Sequence, residues 1–411
     1  MNLENFIAKR LIASKSHKSS ISAPIIKIAI TAIALGIIMM IISVATGIGL
    51  QQKIRQKVSA FNGHIIISNF NGNESDGSTL PISTNQKFYP KFNSVKGINH
   101  IQGVATKLGI IRTETDFEGI TYKGVGKDYK WQYLQEYLVE GSIPKLNDEL
   151  NQEVLISQYL ATRLKLKVGE SFNTFFLNEG EGKLPKSRRF KIVGIYNSGL
   201  QEFDSAYVIG DIRHLQMLNR WKSDQVGFFE VFIDDFTQIT QKGDEVYKET
   251  AAILNSQTIV EKYFYIFDWL KLFDINIIVI LIVMIVVSTI NMIVAILVLI
   301  LERTQMIGIL KSLGANNWII RKIFLYNAFH ILLRGLFWGN LIGIGVLLIQ
   351  KCFGIVKLNP ESYYVNVAPV EINIPYIVFL NIGTIIVCLL ILILPSYIIT
   401  KISPAKSIRF D

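Results

Sequence analysis

The sequence predicts two parts: an α-helical membrane domain of four transmembrane helices, and a large α+β extracytoplasmic domain between helices 1 and 2. Three observations predict this. Four apolar stretches, 28–50, 275–301, 324–349 and 374–399, each exceed the ~20 residues a helix needs to cross about 30 Å of hydrocarbon. The first is isolated, the last three are clustered, and residues 51–274 between them are largely polar. Basic residues are distributed unevenly over the connecting segments.

Charge sets the orientation. Lys9, Arg10, Lys15, Lys18 and Lys27 precede the first stretch, and Lys53, Arg55 and Lys57 follow it, so that asymmetry is modest. The segment after the second stretch carries Arg303, Lys311, Arg321 and Lys322, and the tail carries Lys401, Lys406 and Arg409. Between the third and fourth, Lys351 and Lys357 are balanced by Glu361 and Glu371. The positive-inside rule then gives the layout. Residues 1–27 are cytoplasmic, 28–50 span, 51–274 form a periplasmic domain on helical stalks, and 275–301 span. Residues 302–323 are a cytoplasmic loop, 324–349 span, 350–373 are a short periplasmic loop, 374–399 span, and 400–411 are a cytoplasmic tail. The first apolar run is about twice the length of a signal-peptide core and has no A-x-A site, so it reads as an uncleaved anchor in the inner membrane.

Composition excludes several classes. Half of the 411 residues are apolar, and the net charge is +10. The basic residues flank the spans and form no separate basic domain, so no nucleic-acid partner is expected. Cys352 and Cys388 lie in or beside spans, and five scattered histidines include no HExxH spacing, so neither a disulfide framework nor a metal site is expected. No cofactor and no catalytic residue is expected. Gly180-Glu181-Gly182-Lys183 lacks the spacing and the Ser/Thr of a nucleotide-binding loop. The chain is therefore not an enzyme, and any ATP hydrolysis belongs to another subunit. Its richness in Ile, Lys and Asn suggests a bacterial source.

The elements follow in order. Residues 51–60 continue the first helix outward. Residues 65–67 read as a buried strand and 69–79 as a loop. Residues 158–164 read as a short helix, and 190–196, 206–209 and 228–233 as strands. Residues 178–187 are a polar hairpin loop, and 244–254 a helix. Residues 258–274, with Trp269 and several aromatics, extend the second membrane helix outward. No regular βαβ rhythm appears, which favours α+β.

Two sets of residues carry candidate mechanism. In 301–315, Met306, Leu310 and Leu313 recur at helical spacing with Ile309 alongside. Gly314 suits a C-cap, and Asn317 the N-cap of the next helix. Such an amphipathic helix docks in a partner's groove or lies on the bilayer surface, and the pattern alone does not choose. In the first span, Met39, Met40, Ile41, Val44 and Ile48 offer an adaptable apolar surface, with Met40, Val44 and Ile48 on one stripe. That surface suits acyl chains and equally suits plain lipid contact. Gly335, Gly339 and Gly343 let another helix approach the third span. His330 and Arg334, one turn apart, read as a snorkelling or interhelical pair rather than a relay, and Asn291 as interhelical glue.

The stretch Glu302-Arg303-Thr304-Gln305-Met306-Ile307-Gly308-Ile309-Leu310-Lys311-Ser312-Leu313-Gly314-Ala315 resembles the cytoplasmic turn of FtsX-like permeases of ABC transporters. The overall layout and the 403–409 tail are also similar to theirs. Within that superfamily the chain is most similar to the lipoprotein-releasing (LolC/LolE-type) permeases, through residues 6–11, 189–196 and 363–370. The resemblance implies that the turn couples to cytoplasmic ABC ATPase subunits, with Glu302, Arg303, Gly308, Lys311 and Gly314 matching its pattern. Met306 and Leu310 join this set as its apolar stripe. Gln305 and Met306 stand where many relatives have Arg-Glu. It implies a second permease copy or paralogue and a lipid cavity that takes Met40, Val44 and Ile48. It also implies lipoprotein cargo and, for one subunit type, a periplasmic lipoprotein chaperone hooked by a loop in the region of 178–187. Here that segment contains Pro185 and little hydrophobic surface. Two other activities remain open: a MacB-type mechanotransmission permease, and an FtsX-type regulator of a cell-wall hydrolase.

Overall fold

The computed structural model describes residues 22–72, 77–114, 116–147, 149–177 and 185–401. The 6–11 and 403–409 motifs, and most of 178–187, lie outside the described residues. The chain divides into two units. A helical unit comprises Met1–Gln51, Trp269–Lys357 and Val367–Asp411, and a sheet unit comprises Gln52–Asp268 and Leu358–Asn366.

Four long helices, Ser22–Asn62, Phe264–Glu302, Asn317–Phe353 and Ile374–Ser396, are each long and apolar enough to cross a bilayer. The first continues past Leu50 to Asn62, where Gly63 at φ +69° turns the chain and its N–H caps the Ser59 carbonyl at 2.8 Å. The second does not extend unbroken from 258. Thr258 and Glu261 form a capping box that starts a one-turn helix, Ile259–Lys262, and the long helix begins only after Tyr263.

Within the helical unit, glycines bring backbones together. A Cβ on Gly335 would stand 2.5 Å from Ile33, and one on Gly339 would stand 2.7 Å from Ile37 and 3.0 Å from the Ala34 carbonyl. At Gly343 the nearest atom would be the Ile38 Cα, 3.5 Å away. The first helix thus lies in a groove of the third. Gly36 similarly admits Ser288 of the second helix. Asn291 does not bridge helices: its amide donates to its own helix's Val287 carbonyl at 2.9 Å. The bridging amides are Asn340 and Asn381, which exchange hydrogen bonds of 2.7 and 2.9 Å between the third and fourth helices. His330 likewise bonds locally, to the Tyr326 carbonyl.

The sheet unit is built on β1 (Ile65–Asn69), β2 (Ile82–Ser83), β3 (Ile98–Arg112), β4 (Phe117–Val125), β5 (Leu138–Gly141) and β6 (Glu153–Ser157). It continues with β7 (Ser171–Phe176), β8 (Lys186–Tyr196), β9 (Tyr207–Asp211), β10 (Gln225–Val226), β11 (Phe228–Ile233) and β12 (Leu254–Thr258). The main sheet runs β12-β1-β11-β3-β4-β9-β6-β8-β5, with β7 bonded to both β3 and β8. That double pairing closes β3, β4, β9, β6, β8 and β7 into a ring. Among the described strands only the β4–β9 and β6–β8 pairs are parallel. Aromatic side chains are buried among the ring's strands: Tyr122 stacks on Phe190 at 4.9 Å, with Phe176 edge-on at 5.9 Å.

The strand after the first long helix and the strand before the second are neighbours, since β1 pairs with β12. β11 on the other side of β1 carries Glu230, which is 0% exposed. Its carboxylate meets Lys123 of β4 at 2.5 Å and accepts from Gln102 at 2.7 Å. Lys123 also donates to the Phe61 carbonyl, one of the last carbonyls of the first helix. A buried ion pair therefore ties that helix end to the middle of the sheet.

Several boundaries differ from expectation: β8 begins at Lys186, within the expected 178–187 loop, and β9 runs to Asp211. The helix expected over 244–254 is Ile239–Glu249, and Leu254 opens β12 instead. The tail of that window has apolar residues at both helical and strand spacing, and pairing with β1 decides for the strand. The loop expected from 69 begins later, because Asn69 ends β1 and Phe70–Gly72 make a 3₁₀ turn.

Candidate functional site

The second long helix ends at Glu302, and a separate helix, Thr304–Ser312, follows. The break at Arg303 is local chemistry: the Thr304 hydroxyl donates back to the Leu301 carbonyl at 2.6 Å. The far end is a Schellman turn. Gly314 takes φ +91°, its N–H bonds the Lys311 carbonyl, and the Ala315 N–H bonds the Leu310 carbonyl, both at 3.0 Å. Gly314 is the left-handed residue just past the C-cap Leu313. The N-cap of the next helix is Asn316 rather than Asn317: its side chain accepts from the Ile319 N–H at 2.8 Å.

This short helix has two faces. Ile307 and Gly308 are buried, and Met306 and Leu310 pack against the core of the helical unit. Lys311 donates to the Ile399 carbonyl at 2.7 Å, and burial pushes its pKa down from the ordinary lysine value. The exposed face consists of Glu302, Gln305, Ile309 and Ser312, continued by Leu313, which is 79% exposed. Trp318 in the next helix is also exposed. Met306, Leu310 and Leu313 therefore do not form one outward stripe. Leu313 sits at the C-cap, where the chain leaves helical phase, so its side chain parts from Met306 and Leu310 despite the shared spacing. Trp318 carried no periodic signal.

The first-helix stripe also divides. Met40 is 0% exposed and belongs to the helical core. Val44 and Ile48 are half-buried and line a shallow cleft with Ile41, Ala45, Tyr376, Ile377 and Leu380. Glu371 and Asn373 complete it. In one chain, then, these residues face the fourth helix. The exposed apolar residues of the first helix are Ile28, Leu35 and Met39. Among the described residues, no three His, Cys, Asp or Glu side chains gather as a metal site requires.

Residues 278–404 match the FtsX-like permease C-terminal family, and residues 28–247 match the MacB-like periplasmic core domain. The chain is 21% identical over 426 residues to the lipoprotein-releasing system transmembrane protein LolC of Neisseria meningitidis, covering 100% of both chains. It is 21% identical to the corresponding LolE protein of Haemophilus influenzae, covering 99% of each, and 24% identical to LolC of Buchnera aphidicola, covering 93% and 92%. Among solved structures, the extracellular domain of a noncanonic ABC-type transporter from Gram-positive bacteria aligns with a TM-score of 0.32 at 14% identity, over 47% of this chain and 99% of that one. The two family matches, over residues 28–247 and 278–404, together take in most of the sheet and the helices and identify the chain as a member of the FtsX-like permeases with a MacB-like periplasmic core domain.

Proposed function

We propose that this chain is the permease subunit of an ATP-driven inner-membrane complex that releases lipoproteins toward a periplasmic carrier. The observation that carries this reading is end-to-end similarity to proteins named for lipoprotein release. Both termini and residues 302–323 are cytoplasmic, and 51–274 lie outside. A second permease copy or paralogue and two ATPase subunits complete the assembly, since the chain has no nucleotide-binding loop of its own.

In this reading the Thr304–Ser312 helix is the coupling element. Glu302, Gln305, Ile309 and Leu313 offer the contact face to the ATPase. Met306, Gly308, Leu310 and Lys311 seat the helix on its own bundle, and Gly314 fixes where it ends. Arg303 marks the joint. Motion of the ATPase then reaches the membrane helices through packed side chains rather than through a flexible loop. Val44 and Ile48 offer apolar wall to an acyl chain, which gains ~0.8 kcal/mol per buried CH₂. Met40 joins that wall only if the helices rearrange.

A photocrosslinker at Val44 or Ile48 tests the cargo. Capture of lipoprotein before ATP and its loss afterwards is the expected result. Crosslinks to bulk phospholipid alone would remove the lipid cavity. The match to a MacB-like periplasmic core favours one alternative, a mechanotransmission permease that moves no lipid. Copurification separates the readings: lipoproteins for the first, an efflux channel for the second, a peptidoglycan hydrolase for a division-type regulator. For coupling, Leu313→Asp should weaken ATPase association while the permease bundle stays intact. Leu310→Asp should damage the bundle itself, because it puts a charge against the packed core.

A further inference from the structure

The segment between the third and fourth long helices divides between the two units. Its base belongs to the helical unit. There the side chain of Gln350, 8% exposed, accepts from the Val356 N–H at 2.9 Å and donates to the Val356 and Ala368 carbonyls at 3.2 and 3.1 Å. Lys357 and Val367 form an antiparallel bridge, and Ala368 N–H bonds the Val356 carbonyl at 3.0 Å. Residues 356–368 are thus a hairpin with a clamped base. Its tip, Leu358–Asn366, belongs to the sheet unit.

A lysine of the first long helix's outer end meets the tip. Lys57, near the end of the first long helix, is 6% exposed. Its Nζ donates to the Tyr364 carbonyl at 2.7 Å and to the Ser198 carbonyl. Both acceptors are held in place. Tyr364 is a non-glycine residue at φ +59°, and its N–H bonds the Pro360 carbonyl at 2.9 Å. A side chain seldom adopts that conformation unless its surroundings enforce it. The Ser198 turn is fixed by Asp204, whose carboxylate accepts from the Ser198 N–H, the Ser198 hydroxyl and the Gly199 N–H at 3.1, 2.7 and 2.9 Å. Gly199 itself takes φ +69°, and a Cβ there would stand 3.1 Å from Nζ. A lysine buried between two backbone carbonyls, one on each segment, gains nothing from sequence-local structure. It joins elements far apart in the chain.

We infer that Lys57 is a pin that fastens the tip of the 356–368 hairpin to the sheet unit. The tip is thereby held within that unit, against the end of the first long helix. Any movement it carries is that of the permease proposed above. The pin itself stands without that reading, and its test uses neither ATP nor cargo.

Hydrogen exchange on the full chain in nanodiscs tests it. In Lys57→Met, amides of 358–366 should exchange about tenfold faster or more, the scale of losing hydrogen bonds to a charged donor, while β11 keeps its protection. The reverse experiment uses Tyr364→Pro, which fixes φ near −65° and forbids the left-handed conformation that aims the carbonyl. Lys57 should then become reactive to an acetylating reagent, having been protected before. Unchanged exchange of the tip in Lys57→Met, or a Lys57 still protected in Tyr364→Pro, overturns the pin. If Lys57→Met also loosens β11, the Tyr364→Pro result decides alone, because residue 364 lies outside every strand of the sheet.

Discussion

The helical unit and the sheet unit solve the same problem, holding one arrangement, by opposite means. The sheet unit buries aromatic rings and an ion pair, as at Tyr122, Phe190, Lys123 and Glu230. The helical unit buries small residues against branched ones, as at Gly335 and Ile33, and keeps its polar groups on neighbouring carbonyls. The difference follows from what surrounds each helix or strand. Water drives apolar side chains of the sheet unit together, so large rings stabilise it most. Helices in hydrocarbon gain nothing from hiding apolar surface, so association depends on close backbone approach and a few amide pairs. The second helix fits this account. Ile275, Ile278, Val279 and Ile282 are all more than half exposed, which in water would be intolerable and in lipid is ordinary.

The comparison can be broken most forcefully at the buried ion pair. Glu230→Ala leaves the Lys123 ammonium buried without its carboxylate and should cost about 3–5 kcal/mol. Denaturant unfolding of the full chain, followed by protease sensitivity of the sheet unit, would read it. The double change Lys123→Met with Glu230→Leu should recover most of the loss, because it removes both charges. A double mutant as unstable as the single would mean the pair contributes through more than charge balance.

Acid offers a second route. His64 is half-buried and its Nδ1 accepts from the Ile233 N–H at 2.9 Å, so the ring is neutral; desolvation holds its pKa down at about 4 against 6.5. On acidification the unfolded chain therefore takes up the proton first. Stability present above pH 6.5 should fall as pH drops toward 4, by on the order of 3 kcal/mol. His64→Gln should flatten that part of the profile. An unchanged slope in that variant would assign the acid sensitivity elsewhere.

The helical unit should be sensitive to volume rather than charge. Gly339→Leu forces a side chain against the Ala34 carbonyl and Ile37 and should cost about 1–3 kcal/mol, read as loss of resistance to SDS unfolding. Gly345→Leu, where a Cβ meets nothing within 4 Å, should behave as wild type. The smallest effect belongs to the amide pair. Asn340→Leu leaves Asn381 half-satisfied and should cost about 1 kcal/mol, with Asn381→Leu in the same chain restoring part of it. Equal sensitivity at Gly339 and Gly345 would contradict groove packing.

Long-range apolarity made the four helices legible, and short-range patterns made β1, β11 and the 158–164 helix legible, because each rests on its own residues. The same holds for the Gly314 turn, whose left-handed φ of +91° favours glycine. The Thr304–Ser312 segment was legible as a helix, yet its outward face was not. Met306 and Leu310 turn inward because a bundle lies on that side, and only the neighbouring helices decide that. Met40 went the same way, into the groove beside the third helix.

By itself the sequence determined how many helices are long and apolar enough to cross a membrane and several of the places where the chain turns, since hydropathy and glycine act through local preference. Only the tertiary structure decided that β7 closes a ring, that β1 and β12 are neighbours, and that Asn340 rather than Asn291 bonds across helices. It also decided that Lys57 reaches Tyr364, 307 residues away. Those choices compare many pairings of similar local merit, and they are settled by which distant surfaces fit together and which buried polar groups find a partner.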